Sequence, residues 1–76
     1  MQHIPISVFR SLKRLPSHHR KDVYQAIQLA LTDDRYFRQR ARKGRGELFS
    51  VSLPHGVRAI FRVKKGGDRE IVRLIA

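Results

Sequence analysis

The chain contains no cysteine and no tryptophan. Without thiols there are no disulfides, thiolate zinc sites or cysteine nucleophiles. Acidic residues are scarce, six against seventeen Lys and Arg, which leaves a formal net charge of +11. So few carboxylates argue against a two-metal hydrolytic centre, which needs several converging on its ions. No apolar run approaches the roughly 20 residues needed to span a bilayer. Met1-Gln2-His3-Ile4-Pro5 has neither a basic nor an apolar leader segment, so no secretory signal is expected and a cytoplasmic location is.

What remains is a short chain of 76 residues with 41% apolar side chains. That apolar share is too high for a disordered basic tail. No repeat, linker or low-complexity tract divides it, so residues 1–76 are expected to form a single domain. A thin core under a strongly positive surface points to a polyanion or an acidic protein as partner.

The first 34 residues carry helical spacing. Val8, Leu12 and Leu15 recur at i, i+4 and i+7, with Phe9 widening the stripe. Pro16 ends this helix, and Ser17 reads as the N-cap of a second one. Its apolar face is Val23, Ile27, Ala30 and Leu31, with Tyr24 beside it, and Thr32, Asp33 and Asp34 terminate it. Residues 35–45 then form a basic connection, six of eleven being Arg or Lys.

Beyond residue 47 the period changes to two. Phe49, Val51 and Leu53 alternate with Ser50 and Ser52; Val57, Ala59, Phe61 and Val63 alternate with Arg58, Ile60, Arg62 and Lys64. Pro54-His55-Gly56 is a turn, Gly66-Gly67 predicts a two-residue hairpin, and a third strand runs from Glu70 to Ile75. Gln2 to Ile6 is a candidate fourth, edge strand. The expected fold is α+β: an N-terminal helical hairpin packed on one face of a three- to four-stranded antiparallel sheet. Burying Val72 and Leu74 places Arg73 beside Arg58 and Arg62 on the open face.

Arginine forks suit phosphate oxygens, so Arg58, Arg62 and Arg73 are the candidate site, with Arg38, Arg40, Arg42, Lys43, Arg45 and Lys64 as supporting cations that the resemblance given below would assign to RNA binding. Among the histidines, His18 and His19 are adjacent, point apart and read as surface residues, and His3 is isolated. His55, three residues before Arg58, is the histidine near the arginine face, and imidazole suits proton transfer. Neither a metal nor an organic cofactor is indicated.

The stretches Val8-Phe-Arg-Ser-Leu-Lys-Arg-Leu-Pro16, Arg20-Lys-Asp-Val-Tyr-Gln-Ala-Ile27 and Gly44-Arg-Gly-Glu-Leu-Phe-Ser-Val-Ser-Leu53 come in this order. Val57-Arg-Ala-Ile-Phe-Arg-Val63 and Glu70-Ile-Val-Arg-Leu-Ile75 follow. Together they resemble the RelE/ParE superfamily of toxins from type II toxin–antitoxin systems, over nearly the whole chain. The resemblance implies a RelE-like fold, an acidic antitoxin partner and, for the RNA-cleaving branch, metal-independent cleavage of mRNA on the ribosome. In that branch the strand arginine corresponds to Arg58, with His55, Arg62 and Arg73 as possible further catalytic groups. The family's lysines on the preceding strand correspond to Ser50 and Ser52, and the family's final segment after the last strand has no counterpart here. The ParE branch implies binding to DNA gyrase without chemistry, and a domain that binds nucleic acid without cutting it is a third expectation.

Overall fold

The computed structural model describes residues 4–75. Three helices precede a four-stranded antiparallel sheet: α1 (Ile6–Lys13), α2 (Ser17–Thr32), α3 (Asp34–Arg40), β1 (Ala41–Lys43), β2 (Leu48–Ser52), β3 (Arg58–Val63) and β4 (Arg69–Ile75). A single 3-10 turn, Pro54–Gly56, joins β2 to β3. The strands lie in chain order, β1-β2-β3-β4, each antiparallel to the next. The expected α+β class and the packing of helices against an antiparallel sheet are therefore present. No helix among the described residues is long and apolar enough to cross a membrane.

The core forms where the helical stripe meets the inward parity of the strands. Val8, Leu12 and Leu15 pack with Val23, Ile27, Ala30 and Leu31 against Val51, Ala59, Phe61, Ile71 and Leu74. Phe9 and Tyr24 remain largely exposed and face each other, with ring centroids 6.3 Å apart. Leu15 is buried although α1 ends at Lys13, because Pro16 turns the chain there. The Leu15 carbonyl left outside the helix accepts a hydrogen bond from Arg20 Nε at 3.1 Å. Ser17 is the first residue of α2 rather than its cap. Pro16 occupies the cap position, with no side-chain cap bond, and its carbonyl accepts from His19 and Arg20.

The basic connection is not a loop. Asp33 ends α2 and caps the next helix, its carboxylate accepting from the Arg35 and Tyr36 amides at 3.0 and 3.1 Å. That cap starts α3, a helix whose buried residue is Phe37. The Phe37 ring meets Phe49 and Phe61 edge-on, at 5.6 and 5.8 Å between centroids. The chain then continues directly into β1, so the fourth strand comes from residues 41–43. The N-terminal edge strand expected from Gln2 to Ile6 is not the fourth strand of this sheet. Ile4 and Pro5 are irregular and Ile6 begins α1, while Gln2 and His3 lie outside the described residues.

Two further expectations are corrected. The Gly66-Gly67 hairpin is a five-residue connection, closed by Lys64 N–H to Asp68 O at 2.7 Å. Both glycines have positive φ, 89° and 91°, a conformation that favours glycine. In β4 the register shifts opposite Ile60 and Phe61, so Leu74 faces Ala59 and Ile71 faces Phe61. This bulge lets Ile71, not Val72, join Leu74 in the core, while Arg73 stays on the outer face.

Arg69 joins the two layers. It pairs with Val63 on the inward parity, and its side chain is only 9% exposed. Nε donates to Ala30 O at 2.8 Å, Nη2 to Leu31 O at 3.4 Å and Nη1 to Asp34 Oδ1 at 2.7 Å. The guanidinium carbon also lies 4.7 Å from the Phe37 ring centre. One cation thus satisfies carbonyls at the C-terminal end of α2, where cations are favoured, and fixes the start of α3.

Replacing Arg69 with Ala is expected to cost about 2–3 kcal/mol, the scale for hydrogen bonds to charged groups. In a domain this small that lowers Tm by on the order of 10–20 °C, checked by thermal unfolding. Arg69→Lys restores little of it, because an ammonium cannot reproduce the planar fork. Asp33→Ala removes only the α3 cap and is expected to cost about 1 kcal/mol in urea unfolding.

Candidate nucleic-acid interface

Because the helices cover the inward parity, the opposite parity of every strand is left open. One row crosses the whole sheet: Arg42 opposite Ser50, Ser50 opposite Ile60, Ile60 opposite Arg73. The next row is Ser52, Arg58 and Ile75, and the row on the other side is Leu48, Arg62 and Glu70. Arg58 and Arg73 are diagonal neighbours on β3 and β4, a relation that puts Cα atoms about 7–8 Å apart. Two guanidinium groups at that spacing can hold the oxygens of one phosphate or of adjacent ones.

The arginines are not equivalent. Arg62 donates to Glu70 Oε1 at 2.9 Å and Lys64 Nζ lies 3.4 Å from Oε2. These cations hold the Glu70 carboxyl below the usual carboxylate range, the Arg62 hydrogen bond being the largest cause. Arg42, Arg58 and Arg73 have no hydrogen-bond or ion-pair partner among the described residues. All three are exposed. The most available cations therefore surround Ile60, while Arg62 and Lys64 are partly neutralised.

The other sequence-derived candidates are not all on this face. Arg38 and Arg40 lie on α3, with the Arg40 guanidinium carbon 3.9 Å above the Tyr36 ring. Lys43 pairs with Phe49 on the inward parity, 5.3 Å from its ring centre, and donates to Gly46 O at 3.1 Å. Arg45 sits in the connection between β1 and β2. Only Arg42 of the former basic connection joins the open row.

His55 also departs from expectation. Its Nε2 lies 2.8 Å from Asp22 Oδ2 on α2, and its ring stacks on His19 with centroids 3.8 Å apart and planes 12° from parallel. The turn thus carries His55 to the helix side rather than onto the arginine face. Its backbone is left-handed, φ 63° and ψ 29°, uncommon outside glycine and held here by the contacts to α2. His18 is exposed, as expected of a surface residue, while His19, in edge contact with it at 4.2 Å and stacked on His55, is half-buried. Among the described residues, no three imidazole or carboxylate groups are placed to hold a metal ion. Asp22 and His19 carry no motif that sequence reading could have linked to His55, which is 33 residues from Asp22.

The stacked array is expected to make stability pH-dependent. Desolvation first, then the neighbouring His55 and His18, hold the His19 imidazole below its usual value, with Asp22 opposing. A base whose folded pKa is lowered binds protons more readily when unfolded, so folding is favoured above the unfolded value and weakened below it. Stability is therefore expected to fall as pH drops below about 6.5, the ordinary histidine value. His19→Gln should flatten that part of a urea midpoint-versus-pH profile. The lowered carboxyls of Glu70 and of Asp34, the latter mainly through its Arg69 hydrogen bond, act in the same direction at lower pH.

Compared with protein-family models, curated proteins and solved structures, the chain matches none of them.

Proposed function

We propose that this chain is an RNA-directed toxin of RelE/ParE type that inhibits translation, with the open sheet face as its RNA-binding surface. The observation that carries the reading is the arginine group without an ion-pair partner among the described residues, Arg42, Arg58 and Arg73, on a face that none of the described helices covers. A net charge of +11 draws a polyanion to the domain from any direction. The order of elements, helical hairpin followed by antiparallel strands, is compatible with the family resemblance seen in the sequence. In this reading Arg58 and Arg73 contact the scissile region of mRNA on the ribosome and stabilise charge that develops on phosphate. An acidic antitoxin would neutralise the same surface in the cytoplasm, and ordering by such a partner would add to the domain's stability.

One observation favours a second reading. Among the described residues the open face carries no imidazole, and His55 is engaged by Asp22 on the other side. With Ser50 and Ser52 beside Arg58, the face is better supplied to bind than to transfer protons. A non-cleaving relative, acting by holding RNA or by docking on an acidic protein such as gyrase, would need nothing more.

Arg58→Ala and Arg73→Ala are each expected to weaken single-stranded RNA binding about tenfold, the lower end of the scale for charged hydrogen bonds. Each should also reduce the slope of log K against log salt by about 0.7. On ribosomes programmed with mRNA, Arg58→Ala is expected to lower cleavage on the order of 10²-fold. Tight, salt-sensitive binding with uncut transcripts would select the second reading, and unchanged binding in both variants would remove the face from consideration.

A further inference from the structure

On the helix side, a groove of about 340 Å³ lies between α2, α3 and the 3-10 turn, and the arginine face does not include it. That volume is at the lower end of the range for small-ligand sites, about 300–1,000 Å³, and suits a single planar ring system. Leu29, Pro54 and Tyr36 give it apolar walls, and Asp22, Gln25 and His55 supply its polar groups. Asp22 and Gln25 are three residues apart on α2, so they share one side of the helix. One Asp22 oxygen is taken by His55 at 2.8 Å. The other oxygen and the Gln25 amide have no hydrogen-bond partner among the described residues.

The groove therefore presents an acceptor-only carboxylate next to an amide that both donates and accepts. Such a pair matches the edge of a nucleobase, where donors and acceptors alternate in one plane. Both groups are exposed and hydrated, so a ligand that hydrogen-bonds them replaces water where an apolar side chain would only displace it. Arg40 stacks on the ring of Tyr36, one of the groove's lining residues, with its guanidinium carbon 3.9 Å from the ring centre. The left-handed His55 places Pro54 and the Asp22 partner together, an unusual backbone state retained at the groove itself.

We propose that this groove takes up one unstacked nucleobase of single-stranded RNA, with Asp22 and Gln25 reading its edge. The inference rests on the RNA reading above and adds a base-reading site on the face opposite the arginines. Single-stranded RNA is read through bases splayed out of the stack onto side chains of this kind. Because Asp22 only accepts, it takes an exocyclic amine of adenine, cytosine or guanine or the N3–H of uracil, so the site distinguishes a base from a bare sugar phosphate rather than one base from another.

The test is a titration of isotope-labelled protein, followed by NMR at the Gln25 side-chain amide and the Tyr36 ring. The probes are AMP, CMP, UMP and ribose 5-phosphate, then a short single-stranded RNA. AMP, CMP and UMP should each shift both signals saturably and ribose 5-phosphate not at all. Gln25→Ala and Tyr36→Ala should each weaken AMP binding on the order of tenfold, the scale for loss of a base contact. Gln25 is exposed, so its variant tests the site even where Tyr36→Ala disturbs packing. Equal shifts with ribose 5-phosphate would overturn base reading. An RNA that shifts open-face signals while the groove stays silent would overturn this inference and leave the RNA reading standing. No response to RNA anywhere would overturn both.

Discussion

The guanidinium of Arg69 holds the two layers of this domain together. Its hydrogen bonds reach the last turn of α2 and the first residue of α3 from the first residue of β4. Those contacts fix where α2 stops and where α3 sets out, and so aim Phe37 at Phe49 and Phe61. With the aromatic cluster in place, the chain leaves α3 straight into β1 and completes the sheet. A residue of 9% side-chain exposure with three acceptors is a costly one to remove from a core this thin.

The distribution of acidic groups follows from the same economy. Of six carboxylates, Asp34 serves Arg69, Glu70 holds Arg62 and Lys64, Asp22 holds His55, and Asp33 caps α3. The carboxylates are thus mostly committed to positioning, and little negative charge remains to offset the open face. Arg42, Arg58 and Arg73 are left facing solvent around Ile60. Self-repulsion of that kind is relieved by an anionic partner, which is the physical basis for reading the face as a phosphate surface.

The 3-10 turn between β2 and β3 divides the chemistry of the molecule. It sends Arg58 to one side and His55 to the other within three residues, a span of at most about 10 Å of chain. A left-handed His55 stacked on His19 and bonded to Asp22 gives the helix side its own polar groove, distinct from the arginine face. Two surfaces of different chemistry thus meet at one end of the sheet.

Local pattern determined much of this protein. The 3.6-residue spacing of Val8, Leu12, Val23, Ile27 and Ala30 gave the helical hairpin, and the alternation through Val51, Ala59 and Phe61 gave the inward parity of the strands. The same alternation put Arg58, Arg62 and Arg73 outside. Periodicity carries these features because each depends only on which side of one element a residue occupies. The β4 bulge that buries Ile71, the α3 helix hidden in a basic stretch and the origin of the fourth strand in residues 41–43 were decided by tertiary structure. So were the Arg69 clamp and the turning of His55 onto Asp22. Each joins residues far apart in the chain, such as Arg69 with Ala30 or His55 with Asp22, and a local pattern holds no record of which distant partner will be in reach.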